Sequence, residues 1–506
     1  MIPPRRSLAL YAILAICSVF ASYVFVVLLA LVCACLPIYI MVYAESGNLQ
    51  LGLLALGGIF IAGVLLWSMV PRKDVFAPPG PRLERASHPR FFAELDQIAS
   101  SLMETVPHEV YLMGSPNAFV ADRGGVLGFG SRRVLAIGLP LLSTFSVSEV
   151  RAVLAHEFGH YYGGDTRLLP WVYKTQSSMM RALQNVGEAH DGWRIGMLQM
   201  LFSLVFGILK WSFGLFLRVS NFVSRKQEFR ADELACIIAG VSPTQGCLKK
   251  VREAAAAWPS YWSAEVVPVL DQGWMPGIGE GFCRYLAAPS ISSQVEKILE
   301  KEIAEGKTGL YDSHPPLRER LSAIASLEIA PRLIDDQSAT TLFDDPRELE
   351  NQFIKFINPK LPNEGLPALA WDRMEETVWI PSWKSSVSRY SSLLHGVTPE
   401  SLPDLMPKLP QLGAEIRDPV GQILTGGQRA QRMLELLGIA MQLAMIQKGW
   451  ELVNRPGEFY LQRGEERVVP MNELAEMANG KTSREAWAAR CQELGITQVS
   501  FSSVAG

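Results

Sequence analysis

The chain has 506 residues, of which 49% are hydrophobic, and a formal net charge of −3 at pH 7. This length predicts two or three folded units, and the near-neutral charge, without a basic stripe interleaved with aromatic residues, excludes nucleic acid as a partner. The seven cysteines include no Cys-x-x-Cys pair, which argues against a disulfide framework and against a thiolate zinc site. Any bound metal is therefore expected on histidine and carboxylate side chains.

Two apolar segments begin the chain. The first, from Leu8 to Ala44, carries no charged residue, and the second, from Leu51 to Val70, is about as long as one membrane span. The first segment is too long for a signal peptide and lacks a small-residue cleavage site. It can form one tilted span or two short spans broken near Pro37.

Basic residues flank this pair of segments on both outer ends; they are Arg5, Arg6, Arg72, Lys73, Arg82 and Arg85. We expect a single first span, because an extra crossing would place one of these flanks outside, whereas basic flanks stay in the cytoplasm. Residues 1–73 are therefore expected to form a transmembrane helical hairpin. The protein is predicted to be integral to the lipid bilayer, with its catalytic domain facing the cytoplasm.

A mixed globular region, residues 74–330, begins with a linker rich in proline and arginine at 77–90. Hydrophobic patterns predict a helix at Arg90–Glu104, strands at Glu109–Met113, Ala118–Ala121 and Val134–Ile137, and helices at Ser146–Tyr161 and around Glu228–Ala239. The predicted fold class is mainly α with a small β-sheet, with N-terminal transmembrane helices and a C-terminal α+β region.

The segment RAVLAHEFGHYYGGDTR contains a His-Glu-x-x-His motif. On an α-helix, His156 and His160 lie on one face about 6 Å apart, so both imidazoles can bind one Zn²⁺. Glu157 lies beside them, where its carboxylate can take a proton from water made acidic by the metal. A surface helix whose histidines only pair with carboxylates is the alternative, but the flanking residues are those of a buried helix. The motif predicts one Zn²⁺ per chain, with Glu157 as the catalytic base.

Two classes of zinc peptidase do not fit. The metzincin pattern needs a third histidine where this chain has Thr166. A site-2-type protease has its motif inside a membrane span, whereas charged residues surround this one, namely Glu149, Arg151, Asp165 and Arg167. The third ligand is therefore expected further along the chain. In SRKQEFRADELA, Glu228 and Asp232 lie four residues apart, so that one can bind zinc while the other accepts a hydrogen bond from a ligating imidazole.

Four motifs in order along the chain, SPNAFVADRG, LAHEFGHYYGGD, SRKQEFRADELA and DSHPPLRERL, resemble those of the HtpX-like and CAAX prenyl protease family of membrane zinc endopeptidases. The resemblance covers about residues 1–330. It implies a zincin-type metallopeptidase domain, Glu228 as the third zinc ligand, Asp232 behind the ligands, and a bacterial inner membrane as the location. The chain lacks the many spans of the prenyl-protease branch, so a CAAX substrate is not expected.

The resemblance also implies roles for residues outside the two metal-binding helices. Asn117 and Ala118 match the family's Asn-Ala motif on the edge strand that pairs with extended substrate. His314 and Arg320 match positions near the active site that can stabilise an oxyanion, although His-Pro-Pro can equally start a helix and an arginine can simply bridge two helices. Asp165 matches a position of structural role, and capping of the next helix is the alternative.

A third apolar segment, Ile195–Val223, separates the two metal-binding helices. His160 and Glu228 must meet at one metal, so the chain between them must leave and re-enter on the same side of the membrane. The segment is too short for two full spans and has Lys210 near its middle. It is expected to form a shallow helical pair that dips into the cytoplasmic leaflet or lies along it, with Lys210 near the turn or snorkelling.

Residues 331–506 differ in composition, because apolar runs shorten and prolines multiply, and they have no counterpart in the compact HtpX-like form. A helix at Gln428–Lys448, short strands around Trp450–Val469 and two helical patterns around Met471–Leu494 predict a small α+β unit of unknown role.

Three functions are compatible with the sequence. The chain can be an endopeptidase that acts on misfolded or membrane proteins in quality control, a zinc-binding scaffold with little proteolysis, or a regulatory binding protein that depends on its C-terminal region. The intact Glu157 favours the endopeptidase, because a scaffold needs no catalytic base.

Overall fold

The protein is described here from a computed structural model, which covers residues 9–43, 49–70, 72, 74–125, 130–161, 169–192, 196–306, 314–362, 365–416 and 424–505. The predicted fold class, mainly α with small β-sheets, is confirmed.

The α-helices of the described residues are α1 (Ala9–Tyr43), α2 (Leu49–Met69), α3 (Pro89–Ser101), α4 (Leu139–Thr144), α5 (Val147–Gly159), α6 (Leu169–Gly192), α7 (Gly196–Ala239), α8 (Val241–Tyr261), α9 (Val267–Asp271), α10 (Ile278–Ala287), α11 (Pro289–Glu305), α12 (Leu317–Ala325), α13 (Pro346–Ile357), α14 (Ile380–Arg389), α15 (Leu402–Leu405), α16 (Leu409–Leu412), α17 (Gly426–Gln447), α18 (Pro470–Ala478) and α19 (Arg484–Leu494). The strands are β1 (Glu109–Met113), β2 (Ala118–Arg123), β3 (Arg132–Gly138), β4 (Met275–Pro276), β5 (Ala368–Leu369), β6 (Glu451–Arg455), β7 (Glu458–Arg463) and β8 (Glu466–Val468).

The chain divides into two compact units, one of residues 1–256 and 295–359 and the other of residues 257–294 and 360–506. This division does not follow the predicted boundary at residue 330. Residues beyond 330 stay with the first unit because Asp335 N donates to Ser148 Oγ and Val147 N donates to Gln337 O at the start of α5. In the second unit, Trp371 Nε1 donates to Gly277 O, which joins the early segment to the C-terminal residues.

Three helices of the first unit, α1, α2 and α7, are long and apolar enough to cross a membrane. α1 continues through Pro37 without a break, as expected for one span rather than two short ones. Together with α6, these helices form a bundle whose buried core draws on all four; examples are Val26, Ile61, Val186 and Phe202.

Two adjacent glycines let the bundle helices approach closely. A Cβ at Gly58 would collide with the carbonyl oxygen of Cys33 in α1, and a Cβ at Gly57 would collide with the side chain of Leu198 in α7. Small residues at such crossings are typical of helices that pack in a bilayer. These contacts also fix the position of each helix along its axis relative to its neighbours.

The expectation of a helical pair with a turn near Lys210 is wrong. α7 is one unbroken helix of 44 residues, Gly196–Ala239, and Lys210 lies within it. α6 runs antiparallel to α7, so the chain enters and leaves the bundle on the same side. This is what the sequence requires if His160 and Glu228 are to reach one metal. α6 was missed because its many polar residues hide it from a search for apolar segments.

Outside the helical bundle, the first unit contains a three-stranded sheet in the order β1-β3-β2. β1 pairs with β3 in parallel, and β2 pairs with β3 antiparallel, with Val120 opposite Leu135. β2 is therefore an edge strand, and α5 packs beside it.

The second unit has its own hydrophobic core around α17, which includes the buried Met441, Trp487 and Phe501. The predicted C-terminal elements are confirmed as α17, the antiparallel strands β6, β7 and β8, and the helices α18 and α19.

Candidate metal centre

A capping box fixes the start of α5. Ser146 Oγ accepts from Glu149 N, the Glu149 carboxylate accepts from Ser146 N, and Lys250 Nζ also donates to Glu149. At the other end of α5, a Cβ on Gly159 would lie 3.0 Å from the Cα of Ala231 in α7. Glycine at this position therefore lets α5 and α7 pack closely.

The close packing brings the two predicted histidines to the third predicted ligand. His156 Nε2 lies 3.5 Å from Glu228 Oε2, and His160 Nε2 lies 3.5 Å from Glu228 Oε1. Two atoms bound to one tetrahedral Zn²⁺ at 2.0–2.2 Å lie about 3.3–3.6 Å apart. The spacing of these three side chains therefore fits a zinc ion.

A second observation supports the fit. Glu228 Oε2 is buried and has no hydrogen-bond partner among the described residues. A buried carboxylate oxygen without a partner is costly, and coordination of a cation offsets this cost. The nearest nitrogens, from His156 and Arg320, both lie 3.5 Å away.

The charge states of the two histidines differ. Burial and the neighbouring His156 lower the pKa of His160 to about 4, so its imidazole is neutral and able to bind a metal. Burial also lowers the pKa of His156, but the carboxylates of Asp232 and Glu228 on either side of the ring outweigh burial and raise it to about 9. A proton and a metal therefore compete for His156 Nε2.

Asp232 and Arg320 lie behind the ligands. Asp232 Oδ1 lies 3.0 Å from His156 Nδ1, on the side of the ring opposite Glu228. Arg320, in α12, donates Nε and a terminal nitrogen to the two oxygens of Asp232 at 2.8 and 2.6 Å. The pair orients the imidazole so that Nε2 faces the site, and Arg320 links α12 to α7.

His314 lies at the rim of the site, because its side chain is 56% exposed and its Nδ1 lies 2.9 Å from Glu228 Oε1. It therefore contacts a candidate ligand directly. Asp165 lies outside the described residues, so its predicted role stays a prediction.

Glu157 lies beside the histidines; the candidate ligand atoms of His156, Glu157 and His160 are all within 4.8 Å of one another. Glu157 Oε2 accepts a hydrogen bond of 3.3 Å from Val120 N on the edge strand. Burial raises the pKa of Glu157 to about 7, against the opposing effect of His156. A carboxylate with such a pKa can take up and release a proton near neutral pH.

The edge of β2 is partly occupied by the protein itself. Ala118 N donates to Asn117 Oδ1 at 2.9 Å, and Val120 O accepts from the hydroxyl of Tyr161 at 3.2 Å. The Arg133 guanidinium lies 4.0 Å from the centre of the Tyr161 ring. Tyr161 was not among the residues predicted from the sequence, although its position directly after His160 was a usable signal.

Asp232→Asn is expected to weaken zinc binding by roughly 10–100-fold, because Asn keeps the shape but loses the charge that holds His156 Nδ1–H. Competition with a chromophoric zinc chelator measures the change. Asp344→Asn, at an exposed aspartate, is the matched control, and equal zinc affinity in the two variants would contradict the role.

Residues 92–328 match Peptidase family M48. The chain is also similar to Protease HtpX of Pseudomonas putida, at 27% identity over 202 residues, and to Protease HtpX of Pseudomonas syringae pv. syringae, at 30% identity over 202 residues. Each of these matches covers 38% of this chain and 57% of the length of the relative.

A longer match is to a Protease HtpX homolog of Chlorobium luteolum, at 25% identity over 307 residues, or 56% of this chain and 89% of that protein. No solved structure matches the chain significantly. The resemblance expected from the four motifs is confirmed.

Proposed function

We propose that this membrane protein, which carries a peptidase family M48 domain at residues 92–328, is a zinc endopeptidase. The observation that carries the proposal is the 3.5 Å spacing of Glu228 from both His156 and His160, with Glu157 beside them. These three side chains would hold one Zn²⁺ per chain, and Glu157 would act as the base.

Zinc held by His156, His160 and Glu228 would supply Lewis acidity toward a peptide carbonyl and would lower the pKa of water toward neutral. Glu157 takes the proton of this water on its carboxylate and passes it to the leaving amine. His314, half-exposed at the rim, is the group proposed to donate to the developing oxyanion. Arg320 is a positioning residue, because Asp232 binds its guanidinium through two hydrogen bonds.

An extended substrate is proposed to add to the edge of β2 beside Asn117 and Ala118. Both backbone donors already have partners, so the substrate has to replace Asn117 Oδ1 as the acceptor for Ala118 N and Glu157 Oε2 as the acceptor for Val120 N. Loss of the Val120 bond frees the Glu157 carboxylate. Binding of an extended chain is thereby coupled to release of the base.

The proposed substrates are misfolded or membrane proteins in quality control, cut by a catalytic domain that faces the cytoplasm of a bacterial inner membrane. The basic flanks Arg72 and Lys73 at the end of the second apolar segment support this orientation. α7 runs from the membrane bundle to the metal centre, where it packs against α5. This continuity supports action on chains at the membrane surface.

Purified protein is expected to cleave unfolded casein, to lose this activity when a chelator removes the metal, and to regain it with one equivalent of Zn²⁺. Product peptides resolved by mass spectrometry should include internal fragments. Cleavage that persists in excess chelator would contradict a metal mechanism. Zinc binding without any cleavage would favour the scaffold.

A further inference from the structure

An open groove of about 470 Å³ lies between α6 and α7. Its lining combines apolar and polar side chains, among them Leu183, Phe206, Phe213, Gln184, Glu188 and Lys210. Glu188 and Lys210 are both exposed, and neither has a hydrogen-bond or ion-pair partner among the described residues. The function proposed above uses none of these side chains.

Contacts to α2 show the level of this groove in the bundle. Near the C-terminal end of α2, Ser68 accepts from Arg181 at its carbonyl and from Asn185 at its hydroxyl. At the other end of the hairpin, Leu198 lies against Gly57, near the middle of α2. The α6–α7 hairpin therefore passes the end of α2 that precedes the basic residues, and it reaches only about halfway along α2.

The depth of the charged groups follows from the helix rise. Glu188 is three residues beyond Asn185 toward the tip, which is about 4.5 Å deeper than Ser68. Lys210 is 12 residues from Leu198, about 18 Å back toward the end of α2. The groove thus runs inward from one membrane surface, with Lys210 near the surface and Glu188 inside.

An ionisable side chain at membrane depth is costly unless a partner meets it. A lipid acyl chain would match Phe206 and Phe213 but would leave Glu188 and Gln184 without partners. A protein helix that carries a basic or hydrogen-bonding side chain would satisfy both parts of the lining. Charge complementarity therefore favours a helix.

The groove and the metal centre lie on the same face of one helix. Lys210 and Glu228 are 18 residues apart on α7, which equals five full turns and about 27 Å. An extended chain covers this distance with about eight residues.

We propose that the groove binds one membrane-spanning helix of a protein substrate that bears a polar or basic residue, and that α7 sets the distance from this helix to the cleavage point. The inference rests on the proposed peptidase function for the cut, but the binding step is independent of it.

Binding is tested by photocrosslinking in the full-length Glu157→Gln protein in phospholipid nanodiscs. The crosslinker p-benzoylphenylalanine replaces Phe206 in the groove or, as a control, the exposed Trp211 outside it. The probe is a single-span protein with a polyleucine span, one lysine in the inner half of the span, and an unstructured cytoplasmic tail. Crosslinking at position 206 is expected to exceed that of an all-leucine span about tenfold. Equal yields for the two spans, or adducts with lipid only, would overturn the proposal.

Cleavage tests the same groove in protein with an intact site. Glu188→Gln and Glu188→Ala, which remove the anion from the groove, are expected to slow cleavage of the lysine-bearing probe about tenfold, relative to casein cleavage by the same variant. Arg218→Ala, an exposed cation on α7 outside the groove lining, is expected to match the wild type on both substrates. An unchanged ratio in the groove variants would overturn the proposal.

The distance is tested by inserting Gly-Ser residues between the span and the tail of the probe. The cut is expected to stay at least about eight residues from the span and to move to a new sequence with each insertion. A cut that stays at one sequence would overturn the distance rule. If the wild type cleaves neither casein nor the probe, the proposed peptidase function is wrong. The crosslinking result still decides whether the groove binds a membrane helix.

Discussion

Glu157→Gln is expected to lower the rate of peptide hydrolysis by about 10²–10⁴-fold while one Zn²⁺ per chain stays bound. The amide has the size of the carboxylate but cannot take a proton from water. It can still accept the hydrogen bond from Val120 N that Glu157 Oε2 accepts now, so the edge strand and α5 keep their packing. Zinc content by elemental analysis and casein cleavage under single-turnover conditions measure the two effects separately.

The matched control for this substitution is Glu319→Gln on the exposed face of α12, which should leave both activity and zinc unchanged. A Glu157→Gln protein that loses its zinc would show that this carboxylate is a ligand rather than the base. A variant that retains most of its activity would show that another group takes the proton.

The second large effect is expected for Glu228→Gln, which should lose both zinc and activity. The neutral amide is a poor zinc ligand, so affinity should fall by more than the roughly 10–100-fold expected when an outer hydrogen-bond partner is lost. Gln keeps the side-chain volume and can still accept from His314 Nδ1. Zinc affinity by chelator competition, with circular dichroism as the check on folding, measures the result.

Glu233→Gln removes a carboxylate from the same helix without touching the site, because Glu233 pairs with Arg230. This control should bind zinc like the wild type. A Glu228→Gln protein with full zinc and normal activity would place the third ligand elsewhere and would remove the observation on which the proposed function depends.

The local part of the site was predictable from short-range patterns. A spacing of four residues places His156 and His160 on one helix face wherever that helix lies, and the Ser146 and Glu149 capping box marks where it begins. The edge position of β2 was expected only from the family resemblance at Asn117 and Ala118, and the sheet order β1-β3-β2 agrees with it.

The connection between α5 and α7, the two helices that carry the candidate metal ligands, was not predictable in the same way. Apolarity identified the first part of α7, but α6 carries many polar side chains and did not register as a membrane-level helix. Only its packing against Ser68 of α2 and its pairing with α7 show that it completes the hairpin. A polar helix can lie in an apolar bundle because neighbouring helices satisfy its polar groups.

The sequence by itself determined the candidate chemistry of this protein: the residues proposed to bind zinc, the proposed base beside them, and two apolar anchors, because each depends on neighbours a few positions away. Tertiary structure alone decided that Glu228 lies 3.5 Å from both histidines, that Asp232 and Arg320 lie behind His156, and that Val120 and Tyr161 hold the edge strand against Glu157. These contacts join residues that are tens to more than a hundred positions apart. They depend on how α5, α7, α12 and β2 pack, which no local pattern encodes.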